Sequence, residues 1–427
     1  MQLKDIIEQQ AEEKSRILEI KLVPRAVLTK LQEALPSNLI KVITGPRRAG
    51  KSCLALDALR LTNFAYVNFE DDLLLNHLGN SDDLMKALFQ VYPNPDYFFF
   101  DEIQNLSQWG PFLNKLQRRG HNLIVTGSNA QLLSSELASS LTGRHIPLTV
   151  LPLGFKEYLT VQRSLGKQYE SMSSAKGHAQ HVAEFTRYYI HGGFPECITT
   201  TIDSKAYLST LLDSILLKDI VQRFRLKRPD SLYRMVTYLL HNVGSVLNLS
   251  RLASACGIGS QDTVTKYLDH VVASFIFVML GRFSFKTRAT LMEPRKPYII
   301  DPGFAFARGA YLEMREGMML ENAVLIELLR RGFRPNLDLF YYRSKNDFEI
   351  DFVIHNGQKI SQVIQVCHSL KDQATRTREL RGIFAAHKEL HCNNATILTW
   401  DEDGIFEYED MEIKARPVWS WMLDDMH

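Results

Sequence analysis

The sequence predicts an α/β protein in three parts: a parallel sheet with a phosphate-binding loop over residues 1–160, a helical region over 181–300, and a second α/β domain over 301–427. Three observations predict it. Residues 45–52 spell G-x-x-x-x-G-K-S between a strand-like and a helix-like segment. Candidate strands at 39–44, 64–69, 97–100, 122–126 and 146–150 alternate with helical stretches, the pattern of a parallel sheet. From about 183 to 300 the pattern is mainly helical, and residues 316–400 then run helix, three strands, helix, strand.

The first 35 or so residues read as charged helix, with Pro24-Arg25 marking a turn. Leu39–Thr44 is a β-rich apolar run, and Cys53–Leu59 holds helix formers without a breaker. Between them lies Gly45-Pro46-Arg47-Arg48-Ala49-Gly50-Lys51-Ser52. The two glycines let backbone N–H groups approach phosphate oxygens, and the helix that Cys53 continues adds its positive end. Residues Gly45 through Cys53 are therefore the expected nucleotide cradle. Lys51 is expected to reach the β- and γ-phosphates of ATP, and Ser52 to ligate Mg²⁺.

Asp96–Glu102 reads Asp-Tyr-Phe-Phe-Phe-Asp-Glu, an apolar strand ending in two carboxylates at the edge where open α/β sheets bind ligands. Asp101 is expected to hold Mg²⁺ through water, and Glu102 to polarise the attacking water. The extra strand Phe64–Phe69 between loop and acids suits ATPases with a catalytic glutamate and not small GTPases. Leu123–Asn129 is a further strand with polar residues at its end. Ser128 or Asn129 would there sense the γ-phosphate, or simply make a turn or helix cap. Arg144, in Thr142-Gly143-Arg144-His145, reads by itself as a surface cation, with an arginine finger as its functional alternative.

Residues 162–180, rich in Ser, Gly, Lys and Gln, are expected to form a surface loop. His178 and His181 fall in it without companion ligands, so a solvated loop is favoured over a metal site. Leu249–Val272 has helix-turn-helix patterning: Ser250 as a cap, a turn at Gly257-Ile258-Gly259, and a second helix with Val264, Leu268 and Val271 inward. Its outward residues, Gln261, Asp262, Thr265, Lys266 and Asp269, are a weakly charged mixture that suits a structural or protein-binding winged helix better than a DNA reader. Strands are expected at Phe275–Leu280 and Phe283–Lys286, and the three prolines of Pro294–Pro302 read as a junction.

In combination these motifs resemble a bacterial and archaeal family of AAA+-like P-loop ATPases with a C-terminal restriction-endonuclease-like, PD-(D/E)xK-type domain. The stretches that carry the resemblance are residues 45–52, Phe100–Gln104, Thr126–Ala130, Leu141–Arg144, Leu151–Leu159, His191–Glu196, Leu217–Arg223, Tyr298–Gly303 and Glu349–Ile354. They span nearly the whole chain in the same order. The resemblance implies an ATPase core, a helical and winged-helix middle, and a nuclease-like end, and it raises Arg144 to a candidate finger.

A metal-dependent nuclease of that fold needs Glu, Asp, then Glu/Gln-x-Lys. Glu321, Asp351 and Gln365 match the ligand positions, and Cys367 stands where the lysine belongs. Mg²⁺ wants hard oxygen ligands, and a neutral thiol supplies no positive charge beside a phosphate. The expectation is thus a degenerate nuclease domain, with an exposed strand face as the plain alternative for Glu349 and Asp351.

With 45% apolar residues the chain can bury sizeable cores, and a net charge of +2 advertises no nucleic-acid partner. Five scattered cysteines without C-x-x-C fit a reducing compartment and no structural zinc. The start lacks a signal-peptide core, and the longest apolar run, near Ser274–Leu280, is too short to span a bilayer. A cytoplasmic protein with no membrane partner is expected, with a homo-oligomer as a candidate state. The expected function is ATP binding and hydrolysis, in which nucleotide state repositions the winged-helix and nuclease-like regions for a protein or DNA partner. An ATP-dependent DNA nuclease is the main alternative. A small-molecule P-loop kinase is disfavoured, since no acceptor motif is visible and Glu102 suits activation of water.

Overall fold

The computed structural model describes residues 2–20, 22–129, 143–285, 294–310, 316–409 and 411–424. Ala130, Leu141, Thr142 and Lys286 of the stretches quoted above lie outside them. The chain divides into two compact units, Met1–Leu153 with Ala273–Phe275, and Gly154–Val272 with Ile276–His427.

In the first unit five strands, β1 (Ile40–Thr44), β2 (Phe64–Asn68), β3 (Tyr97–Asp101), β4 (Asn122–Gly127) and β5 (His145–Thr149), form a sheet of order β2-β3-β4-β1-β5. Every neighbouring pair is parallel. Val42, Ile43, Phe99, Phe100, Ile124 and Val125 are buried in its core, as expected where helices cover a parallel sheet on both faces. Helix α1 (Leu3–Glu19) joins this core through Ile6 and Ile7, while α2 (Leu28–Ala34) adds Leu31. Gln10 of α1 pairs with the backbone of Asn68, accepting from its N–H at 2.9 Å and donating to its carbonyl at 3.2 Å. The charged N-terminal helix is thus sewn to the end of β2. Helix α3 (Lys51–Leu59) follows the loop after β1. Helices α4 (Asp72–His77) and α5 (Ser81–Val91) cross from β2 to β3, and α6 (Trp109–Arg118) crosses from β3 to β4.

The second unit begins with α7 (Phe155–Ser164) and α8 (Ala175–His191), whose Phe155, Tyr158, Phe185 and Tyr188 rings pack with centroids 5.3–6.1 Å apart. The expected loop at 162–180 is therefore shorter, and His178 and His181 lie on α8. His181 is buried, stacked on Trp419, with Nδ1 2.7 Å from the Gly177 carbonyl, and His178 Nε2 lies 3.0 Å from Asp401 Oδ1. These partners come from the far end of the chain, so local composition did not reveal them. Helices α9 (Pro195–Thr199) and α10 (Ser204–Ser214), the latter continuing as a π-helix over Ile215–Gln222, lead to α11 (Pro229–His241). Gly192 has φ 79°, and a Cβ there would sit 2.2 Å from Asp301 Oδ1. Asp301 accepts from Gly193 N at 2.7 Å and Gly303 N at 2.8 Å, so the His191–Glu196 and Tyr298–Gly303 stretches are two halves of one buried joint.

Helices α12 (Leu249–Cys256) and α13 (Gln261–Ala273) meet at a turn with Gly257 left-handed at φ 64°. Val264, Leu268 and Val271 are buried as patterned. The cap of α12 is Asn248, which accepts from Arg251 N at 3.0 Å; Ser250 instead accepts from Gln261 Nε2 at 3.1 Å. Strand β6 (Phe277–Gly281) pairs antiparallel with β7 (Arg295–Ile299), and the strand expected at Phe283–Lys286 is not formed over its described residues, 283–285. Phe283 is drawn away because its N–H donates to Tyr341 O at 2.7 Å. Pro297 is tolerated in β7 because the strand's second edge is met by loop backbone, with Gly244 N on Pro297 O and Leu247 N on Arg295 O.

After α14 (Pro302–Ala307) and α15 (Glu316–Arg330), strands β8 (Leu339–Arg343), β9 (Glu349–His355) and β10 (Ile360–Val366) form an antiparallel meander. Helix α16 (Gln373–Leu390) crosses to β11 (Ala395–Thr399), parallel to β10. Strands β12 (Gly404–Tyr408) and β13 (Met411–Pro417), unanticipated beyond residue 400, complete a sheet of order β12-β13-β11-β10-β9-β8 before α17 (Val418–Trp421).

Candidate functional site

Three strand ends build the first site. Because β1, β3 and β4 are parallel, their C-terminal residues emerge at one edge: the loop from β1, Asp101 and Glu102 from β3, Ser128 and Asn129 after β4. Gly45 is dictated by close approach, since a Cβ would lie 2.0 Å from the Val150 carbonyl oxygen. Gly50 takes φ 91° and hands the chain into α3. Arg48, exposed, also has a positive φ of 65°, a conformation that costs a non-glycine residue roughly 1 kcal/mol or more and is concentrated at functional loops. Arg25, which the sequence offered only as part of a turn, holds the loop from behind, donating to Ala49 O at 2.7 Å and Leu151 O at 2.5 Å. Arg47 pairs with Glu70 at 2.7 Å, and Cys53 is exposed on α3.

Lys51 is 4% exposed, its Nζ 3.2 Å from Pro46 O and 3.3 Å from Glu102 Oε1. Ser52 Oγ donates to Asp101 Oδ1 at 2.8 Å, Thr126 Oγ1 donates to the same oxygen, and Tyr66 OH donates to Oδ2 at 3.3 Å. Thr126 Oγ1 also accepts from Glu102 N at 2.9 Å. Glu102 is left-handed at φ 50°, which turns its carboxylate back toward Lys51. Its Oε2 accepts from Gln104 Nε2 and from Ser128 N at 3.2 Å. Gln104 Nε2 also lies 3.4 Å from Ser128 Oγ, linking the two residues. Asn129 is buried beside them.

Environment separates the two adjacent acids. Burial, and then the charge of Glu102, pushes Asp101 up to about 6 against the hydrogen bonds from Thr126 and Ser52. Burial also pushes Glu102 up, but the Lys51 charge, the Gln104 hydrogen bond and Arg47 outweigh it and hold the carboxyl below its ordinary value. Glu102 therefore loses its proton at lower pH than Asp101. Such divergence within one pair is the pattern of acid–base assignments in active sites. The donor set of Ser52 hydroxyl and Asp101 carboxylate is all oxygen and fits Mg²⁺.

Arg144 is exposed at the opposite edge of the sheet. Its carbonyl accepts from Ile40 N at 3.0 Å, and His145 is in register with Ile40 at the start of β1, whereas the loop leaves after Thr44, in register with Thr149. A strand of that length spans about 16 Å, so Arg144 does not serve the phosphate loop of its own chain.

The nuclease-like positions are only partly brought together. Glu321 on α15 accepts from Tyr298 OH and lies 3.2 Å from Lys296 Nζ. Asp351 on β9 accepts from Val366 N at 2.7 Å. Gln365 is committed elsewhere: its Nε2 donates to Glu379 Oε2 at 3.0 Å and its Oε1 accepts from Asp351 N at 3.3 Å. Cys367 Sγ donates to Ser369 O at 3.1 Å, and burial pushes its thiol up to about 11. A positive charge that the sequence reading did not place here comes from Lys296, buried in β7, which the proline-rich sequence around it disguised as a junction. Burial would lower the lysine, but Glu321, Asp351 and Glu349 together raise it; burial raises Glu321 and Asp351 against the lysine's pull. The Lys296 ammonium, 2.6 Å from Glu349 and 3.2 Å from Glu321, engages the carboxylate oxygens that the Mg²⁺ of a nuclease would need as ligands, so the pocket as it stands does not fit that ion.

A parallel sheet with a Gly-x-x-x-x-Gly-Lys-Ser loop on β1, and an Asp-Glu pair on β3 with β4 between them, defines a P-loop protein of the AAA type. Residues 37–159 match the AAA domain family (AAA_14), while 182–312 and 316–418 match two domains of unknown function (DUF8612 and DUF4143). The chain is 32% identical over 428 residues to the uncharacterized protein MJ1544 of Methanocaldococcus jannaschii, covering 96% of this chain and 91% of that one. It is 30% identical over 395 residues to an uncharacterized protein of Haemophilus influenzae, covering 88% and 94%. The chain belongs to the same family as these two proteins, and its residues 37–159 match the AAA domain. Among solved structures it is similar to the Walker-type ATPase PABY2304 of Pyrococcus abyssi, at 17% identity and a TM-score of 0.44, covering 67% of this chain and 96% of that one. No helix among the described residues is long and apolar enough to cross a membrane.

Proposed function

We propose that the chain binds ATP with Mg²⁺ and hydrolyses it, and that nucleotide state governs how its helix-turn-helix and C-terminal regions engage a protein partner. The observation that carries the reading is the contact of Lys51 with Glu102, beside Asp101 and Ser52, at the edge where the loop emerges. Backbone N–H groups of residues 45–53 would cradle the phosphates and Lys51 would meet the β- and γ-oxygens. Ser52 and Asp101 would hold Mg²⁺, which when bound neutralises phosphate charge. Glu102, kept ionised, would take the proton of the attacking water, and Ser128 would report on the γ-phosphate through Glu102 and Gln104. Arg144, remote from its own loop, would act as a finger on a neighbouring copy, which makes a homo-oligomer part of the proposal.

A protein partner is favoured over DNA by the exposed face of α13. Its Gln261, Asp262, Thr265, Lys266 and Asp269 carry two acids against one lysine, the wrong balance for a phosphate backbone. The order helix, three strands, helix, strand supports a restriction-endonuclease-like C-terminal region, and the occupied pocket favours its degenerate form over a nuclease. The test is ATP turnover of the full chain with Mg²⁺, alone and with single- and double-stranded DNA. Turnover indifferent to both DNAs is expected; absence of any turnover would sink the ATPase reading, and strong DNA stimulation would replace the protein partner with nucleic acid.

A further inference from the structure

The C-terminal pocket gathers one lysine and three carboxylates from three separate elements. Lys296 comes from the middle of β7, Glu321 from α15, and Glu349 and Asp351 from β9. Lys296 Nζ lies 2.6 Å from Glu349 Oε1 and 3.2 Å from Glu321 Oε1, and the lysine is 1% exposed. Tyr298, two residues along the strand and so on the same face, donates to the same Glu321 oxygen. Asp351 is anchored by Val366 N at 2.7 Å.

We propose that Lys296 is the resident cation of this pocket: its ammonium stands among the carboxylates where a nuclease of this shape would bind a divalent metal, and so excludes one. Two features make the occupancy permanent. An ammonium has three donors, and two already meet Glu349 and Glu321 at hydrogen-bond distance. The strand that delivers it is bonded along both edges. Leu280 is in register with Lys296 on one side, while Gly244 N donates to Pro297 O at 2.8 Å and Leu247 N to Arg295 O at 2.9 Å on the other. The backbone that delivers the ammonium is therefore fixed beside the carboxylates. A divalent ion demands oxygen ligands at about 2.0–2.6 Å in its own geometry. To obtain them it would have to displace a cation tethered in place, leaving that ammonium buried without its partners. The sequence pattern suggested inactivity because Cys367 lacks a charge; the geometry assigns it instead to a charge already installed.

The inference does not depend on the ATPase reading, and its test is run without nucleotide. Mn²⁺ is titrated into the full chain, with free ion followed by electron paramagnetic resonance, for wild type, Asp351→Asn, Lys296→Ala and the double variant. Wild type and Asp351→Asn should take up equal amounts, any shared uptake belonging to the phosphate-loop acids. Lys296→Ala should gain one ion per chain, lost again in the double variant. If Lys296→Ala folds poorly, its melting point should rise with Mn²⁺ by more than that of wild type. Uptake by wild type that Asp351→Asn abolishes would overturn the proposal, as would Mn²⁺-dependent DNA cleavage lost in Asp351→Asn. So would a Lys296→Ala protein that neither binds the ion nor is stabilised by it.

Discussion

Two buried lysines, Lys51 and Lys296, face carboxylates in the two units, and their surroundings give them opposite prospects. Lys51 stands at the start of a helix on a glycine-bounded loop, with one acid at 3.3 Å and a backbone carbonyl at 3.2 Å. It belongs to a glycine-bounded loop whose backbone opens at the carboxyl edge of the sheet, the place where such loops cradle phosphates. Lys296 stands mid-strand, with Glu349 at 2.6 Å and Glu321 at 3.2 Å. The first lysine meets one carboxylate at the end of a phosphate-type loop; the second meets two carboxylates from separate elements of its own unit. A lysine–carboxylate contact alone therefore does not announce chemistry. What matters is whether the surrounding donors are satisfied without a ligand.

The comparison breaks most sharply at Glu102. Glu102→Gln should retain ATP binding, read by a fluorescent ATP analogue, while turnover falls by ~10²–10⁴-fold, because an amide cannot accept a proton. Lys51→Ala should lose the binding itself. Equal turnover by wild type and Glu102→Gln would strip the first site of its chemistry. Arg144→Ala is expected to bind ATP normally and to lose ~10³-fold in turnover. Mixing it with Lys51→Ala should restore part of the activity if the finger acts on a second copy; full activity of Arg144→Ala alone would return that residue to the surface.

The second site should fail in stability and not in turnover. Glu321→Gln leaves the Lys296 ammonium one carboxylate short in a buried place, and removing one partner of a buried pair costs about 3–5 kcal/mol. Urea unfolding of the second unit should register that loss while ATP turnover persists. A Glu321→Gln protein as stable as wild type would mean that the cluster is not the tight pair described.

The smallest expected effect is on pH dependence. Asp101 rises from an ordinary 3.8 to about 6 in the folded protein. A carboxyl raised on folding binds its proton more tightly when folded, so its stabilising contribution is complete below about pH 4 and is lost as pH rises through about 6. Asp101→Asn should therefore gain in melting temperature relative to wild type between pH 4 and pH 7. A constant difference across that window would show that the carboxyl is not shifted.

The nucleotide site was legible because its parts are local. A glycine loop between strand and helix, and two acids ending an apolar strand, are set by spacing along a few residues, and parallel pairing then brings the strand ends to one edge. The residues that hold those parts in place were not legible. Thr126 and Tyr66 on Asp101, Gln104 on Glu102 and Arg25 behind the loop are ordinary residues whose role exists only once distant strands are adjacent. The same holds for the partners of His178 and His181, which composition assigned to a solvated loop and which lie on α8, where Asp401 and Trp419 meet them.

Periodicity and motif spacing, which act over one or two turns of chain, determined the α/β class, the five-strand sheet, the helix-turn-helix and the phosphate loop. Tertiary structure alone decided that Arg144 lies at the far end of its sheet, that β7 pairs with β6, and that a lysine from that strand fills the pocket of the C-terminal region. Each of those outcomes turns on which backbone donors and buried charges find partners across long stretches of chain. Such pairing energies belong to the assembled fold and leave no periodic trace in the sequence.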